Sequence, residues 1–290
     1  YFLAGDVVKT IEKHQVTGLT AVPPLWQQLM KAKWPDSATS QLRYFANTGG
    51  AMPLVTLAKI RETFSNAAPY LMYGLTEAFR STYLAPDKVD ERPGSMGKAI
   101  PNAEIMVVRE DGSECEPNEP GELVHRGPLV SLGYWNDIEK TAERFKPVPF
   151  NKNGLVLTEM AVWSGDSVKK DDSGYLYFVG RKDEMIKTSG YRVSPMEIEE
   201  ACYQEAEEVA EAIACGVNNL ELGQAIVLLI VIKDEHDISE KDLINKCKKS
   251  LPNFMHPKWL EIRSQLPRNP NGKVDRSTLS KEMKEKYGHE

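Results

Sequence analysis

The stretch YLMYGLTEAF, Tyr70 to Phe79, decides how this chain is read. Apolar residues of strand character run into Tyr73-Gly74-Leu75-Thr76-Glu77. An aromatic ring, a hydroxyl and a carboxylate thus fall within five residues at a strand's end. One reading is a strand-to-helix turn, with Thr76 as N-cap and Glu77 beside a helix N-terminus that favours negative charge. The other is a ligand site. Thr76 and Glu77 would suit a phosphate oxygen and its Mg²⁺, and the Tyr73 ring would stack.

Upstream, helix and strand alternate. GDVVKTIEKHQ and PLWQQLMKAKW carry helical spacing, VTGLTAVPP runs as a strand into a Pro stop, LRYFANTGG is a strand closed by glycines, and PLVTLAKIRETF is a helix before the strand APYLMYG. This alternation predicts a parallel sheet with crossover helices over 1–94. From Ser95 to residue 182 the texture is that of hairpins. AEIMVVREDGSECEPNEPGELVHRG is two strands around a turn, and DSVKKDDSGYLYFVGR turns at Asp172-Ser173-Gly174, which predicts a small antiparallel β-barrel or sheet. A third texture follows over 183–290. SPMEIEEACYQ is a helix with Ser194 as N-cap and Pro195 at its first position. The strands EVAEAIACGV and QAIVLLIVI, the helix SEKDLINKCKKSL, the strand WLEIR and the loop LPRNPNGKVDR complete a compact α+β domain. The expected class is therefore α/β: a parallel remnant and an antiparallel barrel in one large domain, 1–182, then a small α+β domain. The boundary is expected near Gly180 to Asp183.

The 290 residues are 41% hydrophobic and 27% charged, the composition of a soluble globular protein. A net charge of −6 offers no footprint for nucleic acid. Cys115, Cys202, Cys215 and Cys247 are scattered without a CxxC, so neither a zinc site nor a disulfide framework is indicated. A reducing compartment, the cytoplasm, fits. The longest apolar run, AIVLLIVI, is far too short for a membrane span and reads as a buried strand.

Four further stretches carry possible chemistry, and each has a plain structural alternative. In NTGGAMP, two glycines at a strand's end would let a flat ligand approach the backbone, or simply form a tight turn. In WSGD, Asp166 is an acceptor for ribose hydroxyls, or an Asx turn. GRKDEMIKTSGYR alternates in charge as a solvated edge strand also would. In LPRNPNGKVDR, Lys273 stands on a presented loop, as a catalytic or phosphate-binding lysine or as a solvated one. No Walker loop GxxxxGK[ST] occurs, which disfavours a phosphoryl-transfer NTPase.

Taken in order, GGAMP, YGLTE, PGSMGKAIPN, GELVHRGPLVSLGYWNDIEKTAERF, SGD, GYLYFVGRKDEMIKTSGYRVSPMEIE and LPRNPNGKVDR resemble the adenylate-forming superfamily over essentially the whole chain. That superfamily holds the acyl-CoA synthetases, the adenylation domains of nonribosomal peptide synthetases and firefly luciferase. MYGLTEAFRSTYL, VREDGSECEPNEPGELVHRG and FVGRKDEMIKTSGYRVSP look most like the AMP-forming acyl-CoA ligases associated with exosortase A systems.

The resemblance implies that a carboxylic acid attacks the α-phosphate of ATP, leaving acyl-AMP, and that a thiol then takes the acyl group. CoA is the expected thiol, or the pantetheine arm of an acyl carrier protein. The implied nucleotide-binding residues are Gly49, Gly50 and Ala51 along the adenine, Tyr73 and Gly74 at its face, Thr76 on the α-phosphate, and Asp166 on the ribose with help from Arg181. Glu77 would hold Mg²⁺. Lys273 would bridge the attacking carboxylate and the α-phosphate, forming the catalytic set with Thr76 and Glu77. Asp183 matches the family's hinge, about which the small domain swings. Lys187, Ser189 and Gly190 would line the pantetheine channel, with Gly190 sparing that channel a side chain. Trp26, Asn47 and Met72 fall at the acyl pocket. The ribose motif of the family usually carries Tyr-Arg-Thr where this chain has Val162-Trp163-Ser164. The family's Ser/Thr/Gly-rich phosphate loop is not in these residues, and the resemblance implies that it lies upstream. The 290 residues are expected to be inactive by themselves. The alternatives are a stand-alone adenylation domain that loads a carrier protein, and a non-catalytic nucleotide-binding homologue.

Overall fold

A computed structural model describes residues 4–149, 159–233, 236, 238–270 and 272–288. Asn271, in the loop LPRNPNGKVDR, lies outside the described residues. The chain divides into two compact units, Tyr1–Phe178 and Val179–Glu290.

The first unit begins with α1 (Ala4–His14), β1 (Gly18–Ala21), α2 (Pro23–Leu29), the single-turn α3 (Asp36–Thr39), β2 (Tyr44–Asn47), α4 (Leu54–Thr63) and β3 (Ala68–Leu75). β1, β2 and β3 are parallel neighbours. Their connections are helical because parallel strands need a crossover. Trp26 of α2, Phe45 of β2 and Phe64 after α4 meet edge to face at 5.5 and 6.4 Å and fill the core beneath the sheet.

At the end of β3 the expectation of a helix fails. The chain turns at Thr76-Glu77 into β4 (Ala78–Leu84), antiparallel to β3. Thr76 caps no helix. The residues after the turn, AFRSTYL, bury Ala78, Ser81, Thr82 and Leu84 as a strand that continues the sheet. β5 (Ser95–Ala99), β6 (Glu104–Val108), β7 (Gly121–Arg126), α5 (Ile138–Arg144), β8 (Phe145–Pro147), β9 (Met160–Lys170) and β10 (Leu176–Arg181) follow. The pairing runs β1-β2-β3-β4-β5-β10-β9-β7-β6, with β8 on β9, so the antiparallel strands extend the parallel ones through β4 and β5. WSGD lies within β9 and not in an Asx turn.

The chain passes into the second unit within β10. There follow β11 (Ile186–Thr188), β12 (Tyr191–Val193), α6 (Pro195–Glu205), β13 (Val209–Asn219), β14 (Gly223–Ile232), α7 (Glu240–Cys247), β15 (Trp259–Arg263) and α8 (Arg276–Tyr287). β14 is central, antiparallel to β13 and parallel to β15. Its unbroken apolar run follows from burial on both faces. Ile226, Leu228 and Ile230 join the core holding residues of α6 and α7, while Ala225, Val227 and Leu229 join Leu279 and Met283 of α8. Each helix starts on a side-chain cap: Ser194 accepts from Met196 N, Ser239 from Asp242 N and Asp275 from Thr278 N.

Candidate active site

In the first unit, Tyr73 on β3 and Asp166 on β9 are brought together. The Tyr73 hydroxyl donates to Asp166 Oδ2 at 2.5 Å, across 93 residues of sequence. Asp166 is buried, only 4% exposed, on β9. The backbone around it is shaped deliberately. Gly165 takes φ +71°, which an L side chain rarely adopts, and a Cβ there would stand 2.2 Å from Arg144 Nη1. Its N–H donates to Glu122 Oε1 at 3.1 Å. Arg144 Nη1 donates to the Ser164 carbonyl, and the Ser164 hydroxyl donates to the Leu123 carbonyl and accepts from Asp166 N. The pairing of β7 with β9 shifts register here. Such a bulge re-aims a side chain out of the ladder, and the one re-aimed is Asp166.

The turn after β3 is fixed from a different side. The segment after β7 bonds to it: Ser131 N donates to the Glu77 carbonyl at 2.8 Å, and Ala78 bridges to Val130. The Tyr134 hydroxyl donates to Glu77 Oε1. Gly74 sits where the β3–β4 register shifts between Tyr73 and Leu75. At the end of β2, buried Asn47 donates from Nδ2 to the Gly50 carbonyl at 2.9 Å and shapes the Thr48-Gly49-Gly50-Ala51 loop. Met72 is half-buried on β3. Trp26 requires a correction. Its ring has no exposed surface and is consumed by packing on Phe45 and Phe64, so it lines no open acyl pocket.

In the second unit the candidate groups stand on short strands and the turns beside them. Arg181 ends β10, and its Nε lies 3.6 Å from Asp183 Oδ1. Lys187 is on β11, its N–H donating to Gln224 Oε1 at 2.6 Å. Ser189 and Gly190 connect β11 to β12 with φ +51° and +81°, a two-residue turn of the primed kind that twisted hairpins favour. A Cβ at Gly190 would meet nothing within 4 Å in this unit, and its left-handed φ favours glycine. Lys273 lies on a loop closed by Asn269: Asn269 N donates to the Lys273 carbonyl at 2.8 Å, and Lys273 N donates to Asn269 Oδ1 at 3.1 Å. Three residues on, Arg276 makes a two-pronged bond to buried Glu199 at 2.8 and 2.6 Å. Burial pushes Glu199 up from the usual carboxylate range.

Glu122, Tyr134, Arg144 and Ser164 were not singled out from the sequence. Tyr134 stood inside a quoted motif, but only the fold brings its hydroxyl to Glu77. Among the described residues no three His, Cys, Asp or Glu side chains gather as a metal cluster. The donor set of Glu77 with the adjacent Thr76 hydroxyl suits Mg²⁺, which takes one or two carboxylates plus substrate phosphates.

The first unit thus carries a strand-borne carboxylate bonded to a tyrosine at the strand that leads into a Thr-Glu turn, and the second carries a lysine on a closed loop. The chain belongs to the AMP-binding enzymes: that family's model matches residues 2–135, and the AMP-binding enzyme C-terminal domain matches 197–273. It is 34% identical over 283 residues to a long-chain-fatty-acid–CoA ligase of Escherichia coli O157:H7, covering 97% of this chain and 47% of that protein. An oxalate–CoA ligase of Arabidopsis thaliana is 31% identical over 290 residues, covering 98% and 53%. The o-succinylbenzoate CoA synthetase of Bacillus subtilis, solved with its acyl-adenylate intermediate, superposes with a TM-score of 0.79 at 28% identity, covering 96% and 54%. The chain thus spans about half the length of the curated relatives it matches.

Proposed function

We propose that this chain works within an AMP-forming acyl-CoA ligase. The observation that carries the reading is the Tyr73–Asp166 hydrogen bond at the end of the strand that leads into Thr76-Glu77. On this reading Tyr73 is the stacking ring, Asp166 the ribose acceptor and Thr76-Glu77 the phosphate-side turn, and their nearness in one unit supports it. The similar proteins support it, since fatty-acid, oxalate and indoleacetate ligases differ in acid but share the carboxylate and CoA.

Tyr73 stacks on the adenine beside Gly49, Gly50, Ala51 and Gly74. Asp166 accepts the ribose hydroxyls, a charge-assisted contact in a buried place, and Arg181 assists. Thr76 donates to the α-phosphate. Glu77 holds Mg²⁺, which when bound neutralises phosphate charge. Lys273 donates to the attacking carboxylate and the α-phosphate, where negative charge is concentrated in the transition state. Asn47 and Met72 border the acyl group. For the second half-reaction, Asp183 serves as hinge and Lys187, Ser189 and Gly190 guide the pantetheine arm to form the thioester. A cytoplasmic location fits four cysteines that are all free and buried.

The test is carboxylate-dependent ATP–pyrophosphate exchange by the whole protein across a panel of acids, followed by detection of acyl-CoA. Exchange that depends on an added acid, with thioester formed on adding CoA, is expected. ATP turnover to ADP, or binding of nucleotide without exchange for any acid, would refute the reading.

A further inference from the structure

The chemistry above makes no use of His125. It lies on β7 with no exposed surface, and strand alternation puts it on the same interior face as Leu123. Neither ring nitrogen has a hydrogen-bond partner among the described residues. Buried polar groups are normally bonded, and an exception calls for an explanation. The ring lies nearly parallel to Tyr73, with centroids 5.9 Å apart and planes 13° apart, the offset stack that aromatic rings favour. Tyr73 itself is half-buried and packs toward the interior residues Met96, Leu123 and Leu176. It is therefore held at two points, at its hydroxyl by Asp166 and on its inward face by His125.

We infer that His125 is a positioning residue for the nucleotide: it backs the inward face of Tyr73 and holds the plane against which the adenine stacks on the outward face. The inference rests on the proposed nucleotide reading of Tyr73. An aliphatic side chain would fill the same volume without presenting a flat surface. Burial lowers the imidazole's pKa to about 4, so the backing ring stays neutral at working pH and places no cation in the apolar wall.

The test measures AMP affinity by calorimetry, and KM for ATP, CoA and the acid, on the whole protein carrying His125→Ala, His125→Leu or His125→Phe. We expect His125→Ala and His125→Leu to raise the AMP Kd and the ATP KM by about three- to tenfold, the scale of an aromatic contact. The KM for CoA should stay within about twofold. His125→Phe, which restores a flat ring without nitrogens, should return both nucleotide parameters to near wild type. His125→Leu keeps the test open should alanine collapse the wall. Unchanged nucleotide affinity in His125→Leu overturns the inference. So does a common rise in all three KM values alongside a lowered Tm, which marks mere destabilisation, or a well-folded His125→Phe that fails to restore binding. Wild-type protein that takes up no AMP overturns the nucleotide reading itself, whereas normal uptake with indifferent His125 variants overturns the positioning role alone.

Discussion

The two units hold their functional groups in opposite ways. In the first, Tyr73 and Asp166 stand on strands, partly or wholly buried, and are fixed by side-chain bonds from Glu122, Ser164 and Arg144 and by the stack on His125. In the second, Ser189-Gly190 and Lys273 stand on tight turns whose backbone is pinned by local hydrogen bonds. On the proposed function the difference separates binding from reaction: a base and a ribose would need one invariant surface, and buried strands would supply it. Groups proposed to act in one half-reaction and withdraw in the next belong on presented turns, where losing a side chain removes chemistry without opening a core.

The contrast is broken most severely at Lys273. Lys273→Ala should slow acyl-AMP formation by about 10²-fold or more, the scale of losing one preorganised electrostatic contact, with thermal stability near wild type. Transfer to CoA from preformed acyl-AMP should stay nearly intact. Single-turnover assays of the two half-reactions check this, and equal slowing of both would abolish the proposed division of labour.

His125 sharpens the other side. Its folded pKa, about 4, lies below the ordinary 6.5. The unfolded chain therefore binds this proton first as pH falls, and stability present above about pH 6.5 is lost progressively toward pH 4. At about 1.4 kcal/mol per pKa unit the full loss is about 3 kcal/mol. Urea unfolding of the first unit's transition, followed from pH 7 to 4, should show that loss in wild type and a shallower slope in His125→Phe. Identical slopes would mean that the imidazole does not titrate as its burial demands.

Asp166→Ala should raise the KM for ATP by about ten- to a hundredfold, as expected for a lost charge-assisted hydrogen bond of roughly 1.5–3 kcal/mol. A KM within twofold of wild type would remove Asp166 from the site. The smallest effect is expected at Gly190. The left-handed φ disfavours alanine by about 1 kcal/mol, while asparagine tolerates that region better. Gly190→Asn should thus be more stable than Gly190→Ala in thermal melts. Gly190→Leu adds a test of the proposed channel, because it should cut thioester formation while sparing adenylation.

Much of the fold was legible because local rules and tertiary demands agree. Ser194-Pro195 starts a helix in any context, and an eight-residue apolar run such as AIVLLIVI has to be covered on both faces. The sequence was least decisive where only distant residues decide. At Thr76-Glu77 the local chemistry suits a helix cap, yet burial of Ser81, Thr82 and Leu84 in the sheet makes the next segment a strand. Trp26 has the size and position for a pocket wall, but Phe45 and Phe64 claim its ring.

What the sequence by itself determined was therefore the class of elements, the types of the candidate side chains and the family to which their order belongs. Side-chain type, glycine placement and hydrophobic period are local properties, and they survive in a one-dimensional reading. Only the tertiary structure decided that Asp166 reaches Tyr73, that Tyr134 reaches Glu77 and that His125 lies flat beneath the tyrosine. Those meetings depend on which strands pair and where a bulge shifts register. Register is set by burial across the whole sheet, and a one-residue slip would turn strand side chains such as Asp166, Tyr73 and His125 to the opposite face.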